Sequence, residues 1–571
     1  MNVRLFLFLW AALGAALPSL GQNVTWRFTD DQPFSVSAVA TDDAGYAYVA
    51  GQFSGTIALG QTTLRSRSDQ TDVLVAKFSP QGRVVWATSL GPEPSAQPLR
   101  YRSTATAYDI SVNPLTGEAY VVADFVGSIS RNTGGGALTS FGVASPTATS
   151  VPSLLVIKCQ PRGQVDWARR LGNDQQPATG YAIATDPAGN SYVTGAAGGA
   201  LRFDDGYALT LGNRQLLVFS LDNDGRTRWA TTAPSSLGAT GLDIGLDAQQ
   251  GCYVVGRFAG SLQWGSTDLA NSGATRCAFV GRLHQRTGAM AWAKQGGGGS
   301  GNSDAQSIDV DALGNCLVAG IVEPSNLLLF GYYAYSGDYR PNGYAARLDA
   351  NGTTGWVRFL GAVRVENLYK DVQVASLAPL PGLQQYLVAF AVEDRRGPFL
   401  ALRAYDAGGS TSWQTTAYPT NPPRPGTLYG PNPSLPTALA VAPGGASLQT
   451  QVYLGGFFRG TVTLGSTTLT PPNTGFLAGL TFRYSRRDTD WSALRTYPNP
   501  AGEQLTVALP AGPEAQVVLY NGFGRAVREL RVPGSSAESS LTLDVHNLPA
   551  GLYTLRVSSG RESESRQVQV R

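Results

Sequence analysis

Few side chains in this 571-residue chain have the types and spacing for acid–base, nucleophilic or metal chemistry. His284 and His546 are the whole histidine supply, too little for a His-rich metal site and a poor basis for a Ser-His-Asp triad. Cys159, Cys252, Cys277 and Cys316 show no C-x-x-C spacing, which argues against a zinc ribbon or a thiol redox motif. Cys252 and Cys316 occupy the same place in successive repeats, so they are expected to be small buried core residues with free thiols. Asp222-Asn223-Asp224-Gly225 has the residue types of a calcium loop without the longer ligand set of an EF-hand, and an Asx turn is expected instead. Gly296 to Gly299, followed by Ser300-Gly301, lacks the Lys-Ser/Thr of a phosphate-binding loop. Paired carboxylates could cleave a glycosidic bond without histidine. No spacing, however, joins Glu366, Asp371, Glu393 and Asp394 into one site. No catalytic residue, metal ligand or cofactor is therefore assigned, and a binding role is expected ahead of an enzymatic one.

The elements that hold these residues must be short and turn-rich. Gly (68) and Pro (34) are abundant and only 15% of residues are charged, which fits a globular chain of strands and turns. A net charge of +3 with scattered basic residues gives nucleic-acid binding no electrostatic support. At the N-terminus, Arg4, the apolar run Leu5 to Leu17 and Ser19-Leu20-Gly21 read as a signal peptide over residues 1–21, cleaved before Gln22. Pro18 ends that run too early for a bilayer span, so the chain is expected not to span a membrane.

Six tryptophans, Trp86, Trp167, Trp229, Trp292, Trp356 and Trp413, each follow a glycine by four residues: Gly82, Gly163, Gly225, Gly288, Gly352 and Gly409. Their spacings of 81, 62, 63, 64 and 57 residues mark a copied supersecondary unit. In the first unit, alternating runs at 35–41, 46–51, 72–78 and 83–90 are separated by Asp-Gly or Pro-Gly turns, which predicts four antiparallel strands. Glycine supplies the positive φ of the last hairpin. Tryptophan supplies an apolar body for the neighbouring unit and an N–H for a partner. The seventh unit, Leu439 to Tyr484, lacks this hairpin, whereas Asn23 to Phe28, with Trp26, is an orphan strand. Pairing the two would seal a ring and remove the open edge. The prediction is an all-β fold: a seven-bladed β-propeller over residues 22–485 closed by an N-terminal strand.

The repeats resemble the bacterial extracellular β-propeller repeat, on the match of Asp186 to Gly195, Phe53 to Thr56, Val75-Ala76-Lys77 and Gly82 to Ala87. That resemblance implies a secreted or surface protein. After a linker at 486–496, residues 497–571 read as a small β-sandwich. They resemble the type A C-terminal sorting domain of the Bacteroidetes type IX secretion system. The match rests on Tyr497-Pro498-Asn499-Pro500, on Val518 to Arg525, and on Leu548 to Val557 with Gly551 and Tyr553. The resemblance implies the type IX machinery as a partner, with export through periplasm and outer membrane to the surface or medium.

Turns within each unit are short, while the links from second to third strand and between units vary. The variable links carry Tyr332, Tyr333, Tyr335, Tyr339 and Arg340, with Phe330 beside them, and also Arg100, Tyr101 and Tyr429. Tyr and Arg dominate binding hot spots, so a glycan or protein ligand is expected on this link face. A polysaccharide-acting enzyme with carboxylates near the central channel, and a structural surface protein without a discrete ligand, are the alternatives.

Overall fold

In a computed structural model, strands and turns account for the whole described chain, with no helix. It describes residues 22–571 except 29–33, 67–70, 93–103, 127, 133–138, 145–150, 174, 272–274, 298–300, 312–313, 324–326, 335–341, 361–371, 381–384, 395–396, 418–434, 443–448, 459–461, 465–466, 470–473, 484–493, 510–513, 522–524, 535–538 and 560–561. The predicted signal peptide thus lies outside the described residues, as do Tyr335, Tyr339, Arg340, Arg100, Tyr101, Tyr429, Glu366 and Asp371. Two compact units divide at Phe482/Arg483.

In the first unit the strands fall into antiparallel quartets. The first quartet runs Phe34–Thr41, Ala47–Phe53, Asp72–Phe78 and Val84–Pro92, each strand paired to the next. Later quartets start at Ala105–Val112, Ala178–Thr185, Ala239–Leu246, Ser303–Val310, Val372–Leu380 and Leu435–Val441. Their middle strands are buried on both faces, as in Asp72–Phe78, because each sheet is covered by a neighbour on either side. Each apolar core is shared by two successive sheets: Val75 and Val121 lie in one, Tyr253 and Val318 in another. The seventh and first sheets share theirs too, through Tyr453, Leu477, Val49 and Leu74.

The N-terminal strand Gln22–Phe28 pairs antiparallel with Thr474–Arg483, and Trp26 stands opposite Gly479. A one-residue irregularity between Val24 and Trp26 precedes the tryptophan. The same irregularity precedes Trp86 opposite Lys77, and Trp229 opposite Ser220. Contacts that join successive sheets recur here as well. Tyr48 Oη donates to Gly117 O and Tyr253 Oη to Gly314 O, while Tyr453 Oη, in the seventh sheet, donates to Gly45 O of the first.

The glycine–tryptophan repeat acts across sheets. Trp86 Nε1 donates to Pro161 O (2.9 Å), Trp167 to Asn223 O (3.0 Å), Trp229 to Gln285 O (2.8 Å), Trp292 to Ala350 O (3.0 Å) and Trp356 to Ala407 O (3.0 Å). Each acceptor lies in the turn of the next sheet, two or three residues before that turn's glycine. A Cβ on the glycine would meet the same indole: at Gly163 it lies 2.6 Å from Trp86, and at Gly288 2.4 Å from Trp229. The glycine is thus needed twice, for φ near +70 to +84° and for close approach. Asp222 makes the expected Asx turn, accepting from Asp224 N (3.0 Å) and Arg226 N (2.8 Å). All four cysteines are buried and free.

Several links from second to third strand are folded rather than irregular. Thr56–Leu59 with Thr62–Arg65, Ser261–Trp264 with Thr267–Ala270, and Leu327–Leu329 with Tyr332–Ala334 form short hairpins. In the second unit (Arg483–Arg571), Arg495–Tyr497, Gln504–Leu509 and Ser539–Asp544 form one sheet. Ala515–Tyr520, Ala526–Val532, Gly551–Ser559 and Glu562–Val570 form another, and the two share a core around Leu505, Leu519, Leu543 and Leu555.

Candidate functional site

The first strand of every quartet carries a one-residue register shift, for example Ala107/Asp109, Gly180/Ala182, Gly241/Asp243 and Ala305/Ser307. A bulge leaves one residue unpaired and re-aims its neighbours. These sites converge on a cavity of about 140 Å³ lined from all the first strands, with Ser37, Tyr108, Asp109, Tyr181, Asp243 and Gln306 supplying most of its chemistry.

Two aspartates occupy equivalent places, one in the second sheet and one in the fourth. Asp109 accepts from its neighbour Ile110 N (2.8 Å) and, across to the third sheet, from Ile183 N (2.8 Å). Asp243 accepts from Ile244 N (2.8 Å) and, across to the fifth sheet, from Ile308 N (2.8 Å). Both act as struts that satisfy backbone donors freed by the bulges. Each side chain is half-buried, with the cavity as its open side. Burial, reinforced by the charge of Asp243, pushes Asp109 up to about 7. Burial pushes Asp243 up to about 6 against the lowering effect of its backbone bonds. Burial, with the Asp243 and Asp311 charges behind it, pushes nearby Asp309 up to about 7. Burial is the first cause of the rise at all three carboxyls.

The raised values make stability pH-dependent. Unfolded aspartates titrate near ~4, so these groups bind more protons folded than unfolded between there and their folded values. Their contribution is complete below about pH 4 and is lost as pH rises through 6 to 7. The thermal midpoint is expected to fall between pH 5 and pH 8, followed by circular dichroism. In an Asp109→Asn/Asp243→Asn double variant that slope should flatten; an unchanged slope would exclude these carboxyls as its source.

On the link face, Tyr332 and Tyr333 lie in the hairpin strand Tyr332–Ala334, opposite Leu329 and Leu328. By register they stand where the first sheet has Thr62 and Thr63 and the fourth has Thr267 and Asp268. Thr63 and Asp268 are exposed. Phe330, which the sequence places beside these tyrosines, is 4% exposed. Its ring fills the space over Gly296, and its φ of +48° forms the hairpin turn with Gly331. Glu393 and Asp394 end the strand Gln385–Asp394, and their side chains lie outside the described part of the structure.

His284 and His546 are exposed, and no group of three His, Cys, Asp or Glu could hold a metal among the described residues. The central aspartates were missed by sequence reasoning. Their signal is the pair Tyr108-Asp109-Ile110 and Leu242-Asp243-Ile244, aligned with Tyr181-Ala182-Ile183.

In the C-terminal unit, Tyr497 to Pro500 follows the strand start at Arg495. Tyr497 is exposed, and both Tyr497-Pro498 and Asn499-Pro500 are cis. Asn499 Oδ1 accepts from Gln569 N (2.9 Å), Arg571 N donates to Ala501 O (2.8 Å), and Tyr553 Oη donates to Pro549 O (2.7 Å). The Tyr-Pro-Asn-Pro segment is thus fastened to the final strand, while Gly551 opens the strand that carries Tyr553.

Residues 166–200, spanning the outer strand of the second sheet and the first two strands of the third, match the model of a beta-propeller repeat. Residues 495–571 match that of a secretion system C-terminal sorting domain. No curated protein sequence matches the chain. Solved structures with some likeness include the quinohemoprotein alcohol dehydrogenase of Comamonas testosteroni (TM-score 0.38, 11% identity, covering 84% of this chain and 79% of that one). Others are the periplasmic gluconolactonase of Pseudomonas aeruginosa (0.33, 12%, 86% and 99%) and the intramolecular trans-sialidase of Ruminococcus gnavus (0.33, 9%, 81% and 97%). Likeness at this level transfers none of their activities. Among the described residues no helix is long and apolar enough to cross a membrane. The chain carries a bacterial β-propeller repeat and ends in a type IX secretion sorting domain, which marks it for export to the cell surface or the medium.

Proposed function

We propose that this is an exported binding or adhesion protein whose seven quartets are the blades of one closed propeller. The signal peptide is removed before Gln22, the linker spans 486–496, and the sandwich at 497–571 engages the type IX machinery. The ligand, a glycan or a surface protein, is held on the link face by Tyr332, Tyr333, Tyr335, Tyr339, Arg340, Arg100, Tyr101 and Tyr429.

One observation carries this reading. The hairpin Leu327–Leu329/Tyr332–Ala334 keeps the plan of its sister hairpins, yet tyrosines replace small polar residues at positions that are half-exposed or exposed in the sisters. Packing at those positions asks for no aromatic ring, whereas a ligand-facing surface does. Closure is supported by the shared irregularity before Trp26 and the Tyr453 contact to Gly45.

The test is retention of the mature protein on immobilised polysaccharides and surface proteins, followed by Tyr332→Ala/Tyr333→Ala on any ligand found. Affinity should drop at least about tenfold, the ~1.4 kcal/mol scale of one hot-spot residue, with the thermal midpoint unchanged. Unchanged retention would assign the face a structural role.

A further inference from the structure

Where the second sheet meets the third, an amine, an amide and a carboxylate come together. Lys158 lies in the strand Ser153–Cys159, opposite Tyr120, and is 2% exposed. Its Nζ donates to Asn223 Oδ1 (2.7 Å) and Asn223 O (3.3 Å), in the outer turn of the third sheet. Glu118 Oε1 stands 2.8 Å from Nζ, whereas Asp166 is farther, at 3.4 Å, and more open to solvent. Tyr120 Oη donates to the same Asn223 Oδ1 (3.0 Å). Two donors on one atom identify it as the carbonyl oxygen of the amide.

Packing alone does not ask for this trio. In the first sheet Lys77 takes the place of Lys158, opposite Tyr48. There Tyr46 stands where Glu118 does. Pro161 stands where Asn223 does, each accepting from the indole of the preceding sheet. Lys77 has no amide to meet and pairs with Asp42 (3.2 Å).

Both reacting residues are held from several sides. Trp167 Nε1 donates to Asn223 O (3.0 Å) and Arg169 Nη2 to Asp224 O (2.9 Å). The outer strand of the second sheet also pairs with the third, Leu171 opposite Phe203 and Gly172 opposite Arg202. Oδ1 is about 1.2 Å from Cγ, so Nζ lies within about 4 Å of that carbon, close to the ~3–3.5 Å of a reacting pair.

We propose that Lys158 and Asn223 react with each other, forming an isopeptide bond between Nζ and Cγ that staples the second sheet to the third. Glu118 accepts a proton from the Lys158 ammonium, and the freed amine attacks Asn223 Cγ. Tyr120 Oη steadies the negative charge that develops on Oδ1. Burial, with the charges of Glu118 and Asp166 behind it, raises the Tyr120 pKa, so the phenol keeps its proton. The Nζ–Cγ bond forms and the Cγ–Nδ2 bond breaks. Nδ2 leaves with the bonding electron pair and takes up the two protons that Nζ loses, one through Glu118, departing as ammonium. Asn223 is exposed, which gives the ammonium a way out. No oxidant or co-reactant is needed. The bond spans 65 positions of the chain, so it restricts the unfolded state as a disulfide does. It is independent of the link face, and either can fail without the other.

The experiment is intact-mass measurement of the purified, reduced mature protein, followed by proteolysis and tandem mass spectrometry. The expected chain is lighter than its sequence by one ammonia, with a branched peptide joining Lys158 to Asn223. Lys158→Arg and Asn223→Ala should each have the full sequence mass. Glu118→Gln should too, with Lys158 and Asn223 recovered in separate peptides; a crosslinked Glu118→Gln chain would overturn the role given to Glu118. The wild-type chain decides the crosslink itself, so a variant that fails to fold leaves it decidable. A wild-type chain of full mass with linear peptides at both positions would overturn the proposal. So would loss of ammonia mapped elsewhere, or Asn223 converted to aspartate with Lys158 free.

Discussion

Removal of residues 22–28 is expected to destroy the single cooperative unfolding transition of the repeat unit, the largest effect any short deletion in it should have. Six positions of Thr474–Arg483 lose their partners. At about 1 kcal/mol for each backbone hydrogen bond that goes unmade, the direct loss is on the order of 5 kcal/mol, comparable with the whole stability of many domains. The consequence spreads because the seventh sheet shares cores with the sixth and the first, through Leu454 and Phe476 on one side and Tyr453 and Leu477 on the other. An open strand edge also invites intermolecular pairing. Calorimetry and size-exclusion chromatography should show a broadened, lowered transition and aggregation. A shortened chain with the original midpoint would mean that the strand is ornamental.

A second large effect is expected at the glycines beneath the tryptophans. Gly288 has φ +69°, and a Cβ there would lie 2.4 Å from Trp229. Gly288→Ala combines the cost of a left-handed backbone, about 1–2 kcal/mol, with overpacking of about 1–3 kcal/mol, so a loss of ~3 kcal/mol is expected by denaturant unfolding. Gly206 is the control. Its φ is +89°, and nothing lies within 4 Å of its would-be Cβ. Gly206→Ala should therefore cost only the backbone share, ~1 kcal/mol. The Gly288→Ala/Trp229→Ala pair should be strongly non-additive, since deleting the indole removes the clash. Equal costs at Gly288 and Gly206 would show that the indole contact contributes nothing.

What could be read in the sequence follows from what a one-dimensional pattern records. Alternation between Gly and Asp turns is local, so the strands of each quartet and the Asp222 turn were legible. The glycine–tryptophan spacing was legible as one hairpin, but its second meaning was not. Gly225 is required by Trp167, in the preceding sheet, as much as by its own turn. The bulges hid the central aspartates. A one-residue shift re-aims a side chain without altering composition, so Asp109 and Asp243 look like ordinary polar positions. Composition could not separate Phe330 from the tyrosines beside it. It takes the positive-φ turn position that Gly60 and Gly265 occupy in the sister hairpins, and the buried space over Gly296. Export was legible, because Tyr497 to Pro500 and the segment around Gly551 and Tyr553 keep a fixed order and spacing.

Everything placed on the link face or in the central cavity presumes a scaffold joined between its first and last strands. Amide hydrogen exchange on the mature protein addresses that joint directly. Peptides covering Gln22–Phe28 and Thr474–Arg483 should be protected together, to the degree seen for interior strands such as Asp72–Phe78, and should open in one step with them. Rapid exchange of Gln22–Phe28, with Thr474–Arg483 exchanging as a free edge, would contradict the closed ring.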